Sequence, residues 1–152
     1  MALTHVLLQS CDKLVFEVEK RAVLRSLLVA KELQLRQKSD DNDNAHIVLD
    51  KIDGETLKKV IEYCNRHNVA YSSLADEAVV NTLNAFDADF VNVDQTTFFA
   101  LNEAAYYLRI KSLMDLTCGT LSKKFKGKNY KEMGEVIRNW KQNADQNISY
   151  GD

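Results

Sequence analysis

Residues 5–19 read HVLLQSCDKLVFEVE, and this stretch decides how the fold begins. Apolar side chains recur at every second position, at Val6 and Leu8 and then at Leu14, Phe16 and Val18. Small polar residues at 10–13 separate the two halves. Alternation that is interrupted in this way is typical of a β-hairpin. The sequence therefore predicts an N-terminal pair of antiparallel strands.

The apolar period lengthens after the second strand. From residue 19 onward the pattern fits one broad face of a helix, with apolar positions Ala22, Leu24, Leu27, Leu28 and Leu35. Residues 38–44 are polar and have no apolar anchor, which favours a solvated loop. Residues 46–49, HIVL, then predict a short buried strand.

Helical patterns occupy the rest of the chain. Asp53 stands at the N-cap position of a helix predicted at 54–66, and Asn68 is expected to end it. A weaker helical pattern at 74–83 leads into an acidic linker at 87–94, and further helices are predicted at 95–108, 111–126 and 130–141. Because the strands come first and the helices follow, a segregated or mixed α/β architecture is favoured over regular βαβ winding.

Length and composition suit one globular domain, with room for an appendage. A chain of 152 residues with 45% hydrophobic content can bury a core without disulfides. The net charge of −2 provides no global attraction to nucleic acid or to an anionic membrane. Three widely spaced cysteines favour a reducing compartment, and no apolar run is long enough for a membrane span or a secretory leader. We therefore expect a soluble, intracellular protein.

Motifs for catalysis are weak. The 5 glycines form no phosphate-binding loop, which argues against a nucleotide-handling enzyme. Cys64 and His67 are three residues apart on a predicted helix, a spacing compatible with half a zinc site or with a Cys–His nucleophilic pair. Alternatively, Cys64 completes the apolar stripe of that helix and His67 lies in its last turn. Since no second ligand pair follows, we favour the structural interpretation and expect no metal, no cofactor and no enzymatic activity.

Segment 120–141 is strongly basic, with seven Lys or Arg side chains against two Glu. Aromatic residues, Phe125, Tyr130 and Trp140, are interleaved with the charges. Such a patch can bind nucleic acid, but a solvated helix face is the more usual explanation. We therefore expect no nucleic-acid partner.

The helix predicted at 111–126 has more apolar surface than one packing face requires. At about 100° per residue, one stripe contains Met114, Cys118, Leu121 and Phe125, and a second stripe contains Leu113, Leu116, Thr117 and Thr120. One of the two stripes is expected to pack on the domain. The other is either covered by the following helix or left as a groove for a partner helix.

Several motifs together resemble the Skp adaptor family. They are the VIEYC of 60–64 with His67, the DADFV of 87–91, the VDQ of 93–95, Ala104-Ala105, Tyr107-Leu108, Ile110-Lys111, the DLTC of 115–118 and the KGK of 126–128. Their order and spacing match the family over roughly residues 7–128. The resemblance implies a BTB/POZ-type α/β fold, with a small N-terminal sheet of about three strands packed with helices and followed by C-terminal helices. It also implies an adaptor that holds an F-box protein on a cullin within a ubiquitin ligase, in the cytoplasm and nucleus, without catalysis.

The same resemblance assigns roles to particular residues. Positions that match the family's F-box contacts are Phe99, Met114, Cys118, Leu121 and Phe125, and four of these form the first stripe described above. Positions that match the cullin contacts are Tyr106 and Tyr107. The family has asparagine where this chain has Tyr106, so cullin binding is a hypothesis that this substitution puts in question.

Other departures mark the chain as a divergent member. The family's glycine after Asp12 is Lys13, and the C-terminal helix that closes over the F-box in the family is not recognisable in this sequence. The expected organisation is an adaptor domain at 1–128 and a short helical extension with a tail at 129–152. Two variants of the function are kept: an adaptor that binds F-box proteins but not cullin, and a BTB-like scaffold that self-associates, at least as a weak homodimer, through its apolar stripe.

Overall fold

The computed structural model describes residues 4–37, 46–71 and 75–148. Its strands are β1 (His5–Gln9), β2 (Val15–Glu19) and β3 (His46–Val48), in the sheet order β2-β1-β3. The β1 and β2 strands are antiparallel, with Leu8 opposite Phe16, whereas β3 runs parallel to β1. The predicted hairpin is therefore confirmed, and its turn holds Lys13 at a φ of 70°.

The single broad helix predicted after residue 19 is wrong. The chain forms two helices there, α1 (Lys20–Val23) and α2 (Leu27–Gln37), and three leucines of the predicted apolar face are exposed: Leu24 by 41%, Leu27 by 61% and Leu35 by 54%. The break contains Ser26, which is buried and forms a β-bridge with Ile110. The Ser26 hydroxyl donates to the Leu108 carbonyl at 2.5 Å. This long-range anchor shifts the phase of the helix, so that Val29 and Leu33 are buried instead.

The third strand and the helix that follows it agree with the prediction in outline. Residues 47 and 49 are buried as expected, but β3 ends at Val48, which is 55% exposed. The Asp53 carboxylate accepts a hydrogen bond from the Thr56 amide at 2.9 Å and caps α3 (Gly54–Tyr71). Asn68 does not end this helix, which continues for three more residues. The predicted loop at 38–44 and the start of the pattern at Leu74 lie outside the described residues.

The predicted acidic linker at 87–94 is partly wrong, because its first half belongs to α4 (Glu77–Phe90). Two contacts hold this part in the helix. The Asp87 carboxylate lies 2.8 Å from the His67 imidazole of α3, and Phe90 is buried with its ring 5.5 Å from the ring of Tyr63. Only residues 91–94 connect α4 to the next helix.

The C-terminal half consists of α5 (Gln95–Leu108), α6 (Lys111–Phe125) and α7 (Tyr130–Ile148). The predicted bounds of α5 and α6 are correct to within one residue, while α7 extends beyond the predicted end at 141. One face of α5 is buried in the core, at Phe98, Leu101, Ala105 and Leu108. This is a mixed α/β fold in which a small three-stranded sheet packs with helices and further helices follow, as predicted.

Two further predictions concern the fold, namely the domain boundary and membrane-spanning segments. The boundary predicted at 128/129 falls in the connection between α6 and α7, and the division into a domain and an extension stays a prediction. Within the described residues, no helix has the length and apolar character needed to cross a bilayer.

Candidate protein-binding surface

The structure decides which stripe of α6 is buried. Leu113 and Thr117, from the second stripe, are fully buried against the domain. The Thr117 hydroxyl donates to the Asn102 side-chain carbonyl of α5 at 2.8 Å, which fixes the rotation of α6 about its axis. Leu116 and Thr120 are half-buried at the edge of the same contact.

The first stripe remains accessible, and we call Met114, Cys118, Leu121 and Phe125 the α6 stripe. Cys118 is exposed, and the other three side chains are half-buried. Met114 and Leu121 also pack against the edge of the core. Four apolar or thiol side chains on successive turns thus form a continuous strip that α6 does not turn into the domain, which is the geometry a partner helix requires.

Phe99 lies half-buried on α5 and is supported by other aromatic rings. Its centroid is 5.6 Å from that of Phe98 in an edge-on arrangement and 5.9 Å from that of Trp140. These separations lie in the favourable range for aromatic pairs. The ring of Phe99 is therefore held in place by Phe98 and Trp140.

Sequence reasoning missed the role of Trp140, which it treated only as an aromatic residue within a basic segment. Trp140 is buried, and its indole N–H donates to the Val93 carbonyl at 2.6 Å. Its ring meets that of Phe98 at 4.9 Å, and the Lys124 ammonium lies 4.4 Å from the ring centroid on another side. Trp140 thereby fastens α7 onto α5 and α6. The signal that could have found it is the helical spacing of apolar residues 133, 136, 137 and 140.

The two tyrosines predicted to face a cullin point to different surroundings. Tyr106 is 53% exposed, and its hydroxyl lies 3.1 Å from the Cys118 Sγ, next to the α6 stripe. Tyr107 is half-buried and donates to the Asp50 carboxylate at 3.3 Å. It borders a cavity of about 220 Å³ that α2 and β3 also line. Consecutive helical residues diverge by about 100°, so the structure places only Tyr106 beside the residues predicted to bind an F-box.

Both tyrosines stay protonated more readily than a free phenol does. For Tyr106 the hydrogen bond with Cys118 is the main cause of a raised pKa. For Tyr107 the main cause of the raised pKa is burial, and the negative charge of Asp50 adds to it. A tyrosine hydroxyl is already neutral near pH 7, and these upward shifts in pKa keep it neutral at higher pH as well.

Cys64 and His67 have separate surroundings in the structure. Burial raises the pKa of the Cys64 thiol to about 12, which suppresses the thiolate that nucleophilic attack needs. The His67 imidazole instead pairs with Asp87 and stacks on Tyr63, with ring centroids 4.1 Å apart. In the part of the chain that the structure describes, no group of three or more His, Cys, Asp or Glu side chains could hold a metal ion.

Comparisons with known proteins identify the family to which this fold belongs. A family model described as "Skp1 family, tetramerisation domain" matches residues 4–69. SKP1-like protein 1A of Arabidopsis thaliana is 40% identical over 139 residues, which cover 88% of this chain and 83% of the relative. SKP1-like protein 20 of Oryza sativa subsp. japonica is 36% identical over 147 residues, which cover 87% and 81%.

A third relative carries a more specific description. The SCF ubiquitin ligase complex protein SKP1b of Dictyostelium discoideum is 35% identical over 136 residues, which cover 87% of this chain and 82% of the relative. These matches extend past the sheet and α3 into the helices that carry the α6 stripe. They confirm the resemblance inferred from the motifs, and the chain belongs to the Skp1 family, with the POZ-type α/β fold of that family.

Proposed function

We propose that this protein is the adaptor subunit of an SCF ubiquitin ligase, joining an F-box protein to a cullin without catalysis of its own. The observation that supports this most directly is the α6 stripe. Thr117 and Leu113 turn the second stripe of α6 into the domain, so successive turns of the helix leave Met114, Cys118 and their neighbours wholly or partly exposed. The name of the Dictyostelium relative, an SCF ubiquitin ligase complex protein, supports the same assignment.

The F-box protein is proposed to dock on the α6 stripe and Phe99. Half-buried apolar side chains are suited to this role because they retain exposed area that a partner can bury, and the core already holds Phe99, Met114 and Leu121 in position. Phe99 contributes a ring that is braced by Phe98 and Trp140. A braced anchor loses little conformational entropy when the partner binds.

The cullin is proposed to contact the other side of α5, around Tyr107 and Tyr106. Tyr107 and Asp50 form a hydrogen-bonded pair away from the α6 stripe, which leaves room for two partners at once. Tyr106 lies between the two surfaces through its contact with Cys118. The proposed function therefore predicts that Tyr106 influences both partners, whereas Tyr107 influences only the cullin.

An enzymatic role has no support from the Cys64 and His67 pair. The thiol is buried with a pKa of about 12, and the imidazole is engaged by Asp87. We propose that the chain contributes binding surfaces only and acts in the cytoplasm and nucleus, which a fluorescent fusion of the full chain would test.

The decisive experiment is light scattering after size exclusion on the chain mixed with an F-box domain and a cullin N-terminal domain. A mass equal to the sum of the three supports the bridging role. Met114→Glu should abolish the F-box step and leave the cullin step, because a carboxylate would be buried in an apolar contact. The matched control is Leu27→Glu, which places the same charge on an exposed leucine of α2. Absence of any F-box binding by the folded wild-type chain would refute the proposal.

Two variants of this function make different predictions in the same experiment. Tyr106, which stands where the family has asparagine, motivates an adaptor that binds an F-box but no cullin, and then only the pair would form. In that case Tyr106→Asn should restore the three-way complex. If the α6 stripe instead mediates self-association, the chain alone would show a mass that rises with concentration, and a constant monomer mass would exclude that variant.

A further inference from the structure

The end of the α6 stripe at Phe125 is surrounded by positive charge. Six basic residues of the described chain belong to the last turn of α6, the connection to α7 or the first part of α7: Lys123, Lys124, Lys126, Lys128, Lys131 and Arg138. The connection turns back on itself at Gly127, which has a φ of 72°. The Lys128 amide donates to the Phe125 carbonyl at 3.1 Å, so this lysine stays close to the last residue of the stripe. We call these six residues the basic rim.

The described part of the chain does not neutralise the basic rim. Its ion pairs within 4.0 Å are His67 with Asp87 and Lys111 with Asp115, and neither involves the rim. The C-terminal dipole of α6 offers only about half an elementary negative charge, while the N-terminus of α7 adds a positive one of similar size. The Lys124 ammonium lies over the Trp140 ring. An aromatic ring has no net charge, so this contact does not neutralise the lysine. Glu132 and Glu135 belong to the same part of α7, so six positive charges of the rim stand against two negative ones, and the surplus is positive.

The charge is concentrated at one end of the α6 stripe. At the opposite end, beside Met114, the Lys111 ammonium is 3.2 Å from the Asp115 carboxylate, so that end is locally balanced. A helix docked along the stripe would thus meet a less positive environment near Met114 than near Phe125. Such asymmetry favours one orientation of the helix over the reverse, because like charges placed against the rim would repel it.

A nucleic acid suits this rim less well than an acidic polypeptide does. Base stacking needs exposed aromatic faces, and of the three rings in segment 120–141 only that of Tyr130 is freely exposed, because Phe125 is half-buried and Trp140 is buried against Phe98. The whole chain has a net charge of −2 although segment 120–141 has a surplus of five positive charges. The remainder is therefore strongly acidic and would repel a polyanion that extends past the rim.

We propose that the basic rim selects F-box proteins whose docking helix carries acidic side chains at the end that meets Phe125, and that these charges orient the helix on the α6 stripe. This inference rests on the proposed function and adds the chemistry of the partner to it. The apolar stripe supplies the buried contact, while the rim acts on the rate of association, as charges at the edge of an interface do. F-box proteins without acidic residues at that end are bound more slowly.

The test compares binding kinetics of two charge-reversal variants by surface plasmon resonance. The rim variant is K126E/K128E/K131E, and the control variant is K31E/K58E/K59E, which changes the net charge equally at exposed lysines of α2 and α3. The probe is an F-box domain with acidic residues at one end of its apolar anchors, used together with its Glu→Gln and Asp→Asn form. Circular dichroism confirms that both variants are folded.

We expect the rim variant to lose about tenfold in association rate at 50 mM NaCl, with dissociation changed less than about twofold, and to approach the wild type at 300 mM NaCl. The control variant should stay within about twofold of the wild type, and the amide probe should bind the wild type as slowly as the acidic probe binds the rim variant.

Three other outcomes would overturn the proposal in distinguishable ways. If the wild type binds the F-box domain but the rim variant associates as fast at both salt concentrations, the rim has no role and the proposed function stands. If the wild type binds neither probe, the proposed function fails and the inference fails with it. If the wild type binds a labelled 20-base-pair DNA duplex more tightly than either probe, and the rim variant loses that binding, the rim is a nucleic-acid site.

Discussion

Removing the Trp140 ring tests how α7 is held on the domain. The indole is buried, donates a 2.6 Å hydrogen bond to the Val93 carbonyl and contacts Phe98 at 4.9 Å. Trp140→Ala loses these interactions and the cation–π contact with Lys124 together. Tryptophan truncations in protein cores cost about 3–5 kcal/mol, which is a large share of a typical free energy of unfolding of roughly 5–15 kcal/mol.

The contributions behind that figure can be separated by a second variant. Trp140→Phe keeps a ring against Phe98 but removes the N–H donor, so it should cost about 1–2 kcal/mol, the usual net value of a hydrogen bond with a partner that is left partly unsatisfied. The control is Tyr130→Ala on the same helix. Tyr130 is 93% exposed, and its loss should change stability by less than about 0.5 kcal/mol.

Urea denaturation followed by circular dichroism measures all three variants. With a slope of about 2 kcal/mol/M, Trp140→Ala should lower the midpoint by about 2 M and Trp140→Phe by less than about 1 M. The chain has 1 tryptophan, so the fluorescence of the wild type reports on this site alone. Emission typical of a buried indole, poorly quenched by iodide, is expected. Solvent-exposed emission, or a loss of less than about 1 kcal/mol in Trp140→Ala, would refute the docking of α7.

Three further predictions follow from single features of the fold. Lys13→Gly should stabilise the protein by about 1 kcal/mol in thermal melts, because glycine adopts the φ of 70° without steric cost; a lower melting temperature would contradict this. Cys64 should resist a thiol reagent in the native state while exposed Cys118 reacts, since the Cys64 thiol has a pKa of about 12; equal labelling rates would disprove it. Ser26→Ala should cost about 2 kcal/mol in urea unfolding, because the buried Leu108 carbonyl loses its 2.5 Å donor; an unchanged midpoint would show that the helix break has another cause.

Local patterns in the sequence were sufficient for much of the fold. The hairpin could be read from alternation, the start of α3 from the capping side chain of Asp53, and α5 and α6 from their apolar periodicity. Each of these features depends on residues within a few positions of one another along the chain, and short-range geometry relates them directly to backbone conformation. The family motifs depend on sequence alone in the same way.

The errors occurred where distant residues decide the local conformation. The predicted helix after residue 19 breaks because Ser26 is tied to Leu108, 82 residues further along the chain. The acidic segment at 87–90 is helical because His67 of another helix pairs with Asp87. Periodicity within one segment carries no information about such partners.

By itself, the sequence determined the hairpin, the long C-terminal helices, the family and the presence of two apolar stripes on α6. Only the tertiary structure decided which of those stripes is buried, because the hydrogen bond from Thr117 to Asn102 sets the rotation of α6 against α5. It also decided that Trp140 anchors α7, and that Tyr106 lies beside Cys118 while Tyr107 faces Asp50. The physical reason is the same in all three cases. A helical pattern specifies which residues share a face, but only the packing between helices specifies which residues that face contacts.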